Sequence, residues 1–173
     1  NSSDLYGVRW TKAADIFKNY RDTILLVDKG QKEVSSTVGH NLMHNHPFAE
    51  NRFAQAKAHY SALLTILEMG DMDGFSDLVE LEALSLHAMM LTSSPYYILM
   101  HPNTIQIIQE VRRYRKTTGL RLTFTLDAGA NVHLLYPAHE AEKVDQFIAS
   151  DLRKYCQDNE LIYDRVGTGL KKV

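Results

Sequence analysis

Arg121-Leu122-Thr123-Phe124-Thr125-Leu126-Asp127-Ala128-Gly129-Ala130-Asn131-Val132-His133-Leu134-Leu135-Tyr136 is the stretch that decides the fold class. Its first seven residues alternate: Leu122, Phe124 and Leu126 fall on one side, Arg121, Thr123, Thr125 and Asp127 on the other. That is the period of a half-buried strand. Ala128 to Asn131 are small or turn-forming residues, and Val132, Leu134 and Tyr136 resume the alternation. The pair reads as a β-hairpin with Asp127 at its inner end.

Working outward, the run from Arg21 to Asp28, closed by Lys29-Gly30, reads as a buried strand and a turn. Between it and the hairpin lie three helical patterns. Phe53, Ala56, Tyr60, Leu63, Leu64 and Leu67 recur at helical spacing from about Glu50 and stop at Gly70. Phe75, Leu78, Val79, Leu86 and Met89 define a second helix from Asp73, broken by Ser93-Ser94-Pro95. Ile105, Ile108, Val111 and Tyr114 define a third, opening after Pro102 and ending at Gly119. Beyond the hairpin, Val144, Phe147, Ile148, Leu152 and Tyr155 predict a fourth helix, and Glu160 to Val166 a last strand before Gly167-Thr168-Gly169. Helices interleaved with a small, largely antiparallel sheet make an α+β domain of two layers.

The bulk properties fit one core. The chain has 173 residues, 45% of them hydrophobic and 23% charged, and a formal net charge of -2. A balanced charge leaves no broad basic face, which argues against nucleic acid as a partner. Cys156 is the only cysteine, so no intrachain disulfide can form and a cytoplasmic setting is the default expectation. No apolar run reaches the roughly 18 residues of a membrane span, and Asn1-Ser2-Ser3-Asp4 carries no targeting pattern.

Several residues invite a chemical reading and have a plainer one. Arg112, Arg113, Arg115 and Lys116 close the third helix, where cations are favoured by the helix dipole without any ligand. His40, His44 and His46 form an H-x3-H-x-H cluster beside Pro47, but no carboxylate or cysteine frames a zinc site there, so they read as loop histidines. His87 and His133 fall on helix and strand patterns and read as hydrogen-bonded, partly buried side chains. Cys156 lacks a base partner and reads as packing. No glycine-rich phosphate loop occurs, so the chain has no ATP cradle of those kinds. Asp127 ends a strand beside small residues that leave space for a substrate. Such a carboxylate can accept the proton of an attacking hydroxyl, as in phosphoryl transfer, or can bond its own turn.

Three motifs in order carry a resemblance: Ser35-Ser36-Thr37-Val38-Gly39; then Leu86-His87-Ala88 with Ser94-Pro95-Tyr96-Tyr97; then Phe124-Thr125-Leu126-Asp127-Ala128-Gly129-Ala130-Asn131. Together they resemble the diphosphomevalonate decarboxylases of the GHMP kinase superfamily, from about Asp22 to the Gly167-Thr168-Gly169 tail. The resemblance is to the second half of those enzymes, a ferredoxin-like α+β layer, with residues 1–20 as a connecting segment and 21–173 as the domain. It implies an ATP-dependent lyase of the mevalonate pathway, which phosphorylates the tertiary hydroxyl of mevalonate 5-diphosphate and releases phosphate and carbon dioxide to give isopentenyl diphosphate.

By that resemblance Asp127 is the catalytic aspartate, and Ser36, with Thr37 and Gly39 beside it, faces the substrate's diphosphate. ATP and Mg2+ would be bound mainly by the first half of such enzymes, which supplies the ATP loop, a lysine near the hydroxyl and an arginine for the carboxylate. Nothing here substitutes for these, so the chain alone is expected to be inactive; a homodimer is a further expectation. Departures are Ala130 where proline is common, which should loosen the turn, His40 where methionine is frequent, and Thr37 where some members have arginine. The last opens the choice between diphosphate and monophosphate substrates. A mevalonate or phosphomevalonate kinase and a non-enzymatic ligand-binding module are the alternative readings.

Overall fold

The computed structural model of the chain describes residues 10–30 and 45–167. Four strands, β1 (Tyr20–Leu25), β2 (Thr123–Leu126), β3 (Val132–Pro137) and β4 (Leu161–Arg165), form one sheet in the order β2-β3-β1-β4. Every neighbouring pair is antiparallel. The expected hairpin is β2–β3, with Leu126 opposite Val132 and Thr123 opposite Leu135. The first strand is shorter than the apolar run that predicts it. The Val27 N–H turns back onto the Leu25 carbonyl (3.0 Å), so ladder pairing stops there.

The helices are α1 (Ala49–Met69), α2 (Met72–Leu91), α3 (Pro102–Thr118) and α4 (Ala141–Phe147). Gly70 ends α1 in the left-handed region at φ 73°, where a Cβ is strained. The Asp71 side chain then opens α2 by accepting the Gly74 N–H at 3.0 Å. Pro102 takes the first position of α3, where a missing N–H costs nothing, and Gly119 closes it. The fourth helix is expected to run to Tyr155 but keeps α geometry only to Phe147. A π turn (Ile148–Leu152) and a 3-10 turn (Arg153–Tyr155) follow, and the wider turn keeps both Ile148 and Leu152 wholly buried.

The apolar face of the sheet makes one core with α3 and the α4 segment. Leu25, Leu122, Phe124, Leu126, Val132 and Leu134 join Ile107, Val111, Val144 and Ile148 in it. Each such side chain contributes about 1.5–3 kcal/mol by leaving water. Tyr136 is buried among them and keeps its hydroxyl satisfied, 2.7 Å from Thr23 Oγ1 and donating to Asp145 Oδ1 at 3.1 Å. Tyr114 stacks on Phe147 at 3.8 Å between ring centroids, tying α3 to α4.

The other face departs from the half-buried pattern. Thr123 alternates as a solvent-facing residue, yet it is 1% exposed. α2 lies alongside the edge strand β2 and covers it. The Thr123 hydroxyl donates to Glu80 Oε1 of α2 at 2.8 Å, and the Arg115 guanidinium of α3 binds the same carboxylate while also donating to the Leu122 carbonyl at 3.0 Å. Arg115, read from sequence as one of four dipole-favoured cations, is thus the clamp that ties α2 and α3 to the start of β2. Alternation cannot show this, because a threonine satisfied by a buried ion pair looks the same in sequence as one satisfied by water. Residues 15–19, for which sequence patterning gives no element, form a 3-10 turn that packs Phe17 and Tyr20 against Phe75 of α2, with ring centroids 5.0 and 5.5 Å away.

Candidate active site

Asp127 is the first residue after β2 and is exposed on the side of the sheet away from the core. What stands out is how firmly its turn is held. The Asp127 carbonyl accepts from the Gly129 N–H at 2.8 Å and from Nε2 of His87 at 2.9 Å. A carbonyl can only accept, so Nε2 of His87 carries the hydrogen. The Ala130 carbonyl accepts from the Thr104 hydroxyl of α3 at 2.6 Å, and that hydroxyl in turn accepts the His101 N–H at 3.1 Å. Asn131 Oδ1 accepts the Asp28 N–H at 3.0 Å, anchoring the turn to the segment leaving β1. Ala130 itself is buried in the core. Side chains of α2 and α3 and the segment leaving β1 thus brace the turn from outside.

The bracing is sensitive to burial of unpaired groups. Thr104→Val keeps the shape of a side chain that is 0% exposed but leaves the Ala130 carbonyl and the His101 N–H without this partner. It is expected to cost about 1–3 kcal/mol, read as a lower urea midpoint.

Two histidines flank Asp127 and have opposite electrostatics. His87 is 2% exposed; burial pushes its pKa below the ordinary 6.5, more than the bond to the Asp127 carbonyl raises it. The unfolded chain takes up a proton near 6.5 and the folded chain does so only at lower pH. The stability that neutral His87 supplies is therefore full above 6.5 and is lost as pH falls below it. His87→Gln is expected to flatten the drop in urea midpoint between pH 7 and pH 5. His133 of β3 is raised instead: its Nδ1 pairs with Asp22 Oδ2 at 2.9 Å, burial opposes the shift, and the charges of Asp22 and Asp127 add to it.

The other sequence candidates separate. Ser36, Thr37 and Gly39, and with them His40 and His44, lie outside the described residues. His46 is 6% exposed, accepts the Phe48 N–H on Nδ1 at 3.1 Å and meets Thr92 Oγ1 through Nε2 at 3.0 Å, so both nitrogens are occupied structurally. Cys156 is buried and its thiol is pushed up to about 11, chiefly by burial. Among the described residues no group of three or more His, Cys, Asp and Glu side chains could hold a metal ion, and no helix is long and apolar enough to cross a membrane. Of the bracing residues, His87 and Asn131 stood inside the motifs without a role, while Thr104, Asp28 and Asp22 gave no signal, since their partners are 26 to 111 residues away.

Fold and site define an α+β domain that presents one carboxylate on a rigid turn at the end of an antiparallel hairpin. The chain belongs to the family described as the mevalonate 5-diphosphate decarboxylase C-terminal domain, whose model matches residues 23–169. It is 28% identical over 98 residues to the phosphomevalonate decarboxylase of Haloferax volcanii, a match covering 57% of this chain and 30% of that protein. Its fold is similar to the crystal structure of a mevalonate diphosphate decarboxylase from Legionella pneumophila, with a TM-score of 0.76 at 26% identity, covering 84% of this chain and 45% of that one. It is also similar to the mevalonate diphosphate decarboxylase from Enterococcus faecalis, solved in a study of its mevalonate diphosphate mediated ATP binding (TM-score 0.73, 19% identity, covering 86% and 43%). The chain thus spans less than half the length of these relatives.

Proposed function

We propose that the chain works as the carboxy-terminal domain of an ATP-dependent decarboxylase acting on mevalonate 5-diphosphate, with residues 1–20 as its connection to an amino-terminal half, the last of them, Phe17 and Tyr20, packed onto the domain. The observation that carries this reading is Asp127, exposed on a turn fixed by His87, Thr104 and Asn131, in a chain whose family match runs through all of these residues. A carboxylate mounted in this way accepts the proton of the substrate's tertiary hydroxyl as that oxygen attacks a phosphoryl group. The fixed turn keeps the acceptor in place without reorganisation. The phosphorylated carbon then loses phosphate, and the adjacent carboxylate leaves as carbon dioxide, its bonding electrons forming the new double bond.

ATP supplies the phosphoryl group, and magnesium is the usual partner of its charge. ATP and magnesium are proposed to be bound mainly by the amino-terminal half. The Enterococcus relative is described as binding ATP in a mevalonate diphosphate mediated way, which supports ATP as the phosphoryl donor. Ser36, Thr37 and Gly39 are proposed to face the substrate's diphosphate; a homodimer and a cytoplasmic location complete the reading.

The Haloferax relative favours one second reading, in which the substrate is the 5-phosphate. Both are tested by joining the chain to an amino-terminal half and following ATP-dependent release of labelled carbon dioxide from each substrate. Faster release from the 5-diphosphate supports the first reading and faster release from the 5-phosphate the second. ATP consumption without carbon dioxide rejects both in favour of a kinase.

A further inference from the structure

His133 has no assigned role, yet the hairpin register sets it opposite a residue only two positions from Asp127. It lies directly opposite Thr125, and Asp127 is two residues further along on the same face. Asp127 is the first residue past the paired end of β2 and so stands diagonally across from His133. On its other flank His133 lies opposite Ile24 of β1, and Asp22, again two residues along, reaches back to it diagonally. Asp127, His133 and Asp22 therefore make a diagonal row, carboxylate, imidazole, carboxylate, across three strands.

We propose that His133, braced by Asp22, is a positioning residue for Asp127, keeping a positive charge near that carboxylate and holding it in place at the end of β2. The proposal rests on Asp127 being the proton acceptor of the reaction.

The geometry of the pair suits this task. Asp22 Oδ2 takes Nδ1 of His133, which fixes the ring plane and leaves Nε2 at the far end of the ring from Asp22. Asp22 Oδ1 is buried without a hydrogen-bond partner, so the imidazole is what this carboxylate is held against. The raised pKa of His133 is in keeping: its first cause is the bond from Asp22, and the Asp127 charge is felt as well.

The surrounding charges are mostly acidic. Asp164 of β4 lies opposite Asp22 on the same face. On the helix side, Glu82 of α2 lines a groove of about 240 Å³ with His59 of α1 and Thr125, and is bound by both Arg52 and His59. Asp22 and Asp127 are the carboxylates whose charges act on His133, with Asp164 next to Asp22. Asn at position 133 would keep a hydrogen-bond donor for Asp22 and remove the charge.

The test has two arms. The first follows the His133 ring by NMR titration in the 173-residue chain and in its Asp22→Asn and Asp127→Asn variants, with amide spectra confirming the fold. His133 should titrate above the ordinary 6.5 and shift downward in both variants, more in Asp22→Asn. A midpoint that does not move in a folded Asp127→Asn variant overturns the proposal.

The second arm compares His133→Asn with the unsubstituted sequence in the chain joined to an amino-terminal half. Loss of the positive charge should move the acid limb of the kcat/KM profile to higher pH and lower kcat roughly ten- to hundredfold, with KM little changed. An unmoved acid limb overturns the positioning role. Absence of carbon dioxide release from the unsubstituted protein sinks the decarboxylase reading by itself, and the imidazole titration then still decides whether His133 and Asp127 are coupled.

Discussion

Asp127→Asn, made in the chain joined to an amino-terminal half, is expected to lower ATP-dependent carbon dioxide release by about 10²–10⁴-fold, the usual contribution of a positioned proton acceptor. The loss should fall on kcat with KM nearly constant, because the amide keeps the size and hydrogen-bonding reach of the carboxylate but no longer takes a proton. Two features separate this from a folding defect. The Asp127 side chain is exposed. The bonds that fix the turn use its backbone carbonyl, which the substitution leaves intact. An unchanged melting temperature with collapsed turnover is the expected pair of results; turnover within a few-fold of the original would remove Asp127 from the chemistry.

Phe124→Ala carries the largest expected effect on stability. Phe124 is 0% exposed, lies opposite Leu134 in the hairpin and belongs to the cluster that joins the sheet to α3 and α4. Truncation removes its transfer free energy and leaves a cavity walled by strands fixed in register, costing about 3–5 kcal/mol. For a chain of this size that corresponds to a fall in melting temperature of roughly 6–20 °C. Phe124 is three residues from Asp127, so in the joined protein activity should fall in step with the folded fraction at temperatures where the original is still folded. A fall of less than about 2 °C would mean that this cluster does not carry the fold.

Much of this architecture was legible because it is periodic. The alternation from Leu122 to Tyr136 located the hairpin and its inner-end carboxylate, and Gly70, Pro102 and Gly119 punctuated the helices close to their observed ends. What stayed hidden is non-local. Thr123 alternates with solvent-facing residues and is buried, because the Glu80 and Arg115 that satisfy it come from two helices. Thr104 resembles any helical threonine until Ala130 is set against it. The site was half legible for the same reason: the residue proposed to do the chemistry sits in a local motif, while Thr104, Asp28 and the Asp22–His133 pair are distant from their partners in sequence. His87 and His133 were seen as hydrogen-bonded and partly buried, yet only the tertiary arrangement places both beside Asp127.

The braced turn has a consequence for the order in which the domain assembles. His87, Thr104 and Asp28 meet residues 127 to 131 from 40, 26 and 103 positions away. Each contact closes a long loop of chain, so none forms until α2, α3 and β1 are in place, and slow loop closure governs when they do. The hairpin can zip early from its own sequence, but the perch of Asp127 is completed among the last steps of assembly. A partly folded chain therefore holds the carboxylate without holding it still, until the whole domain has closed around the turn.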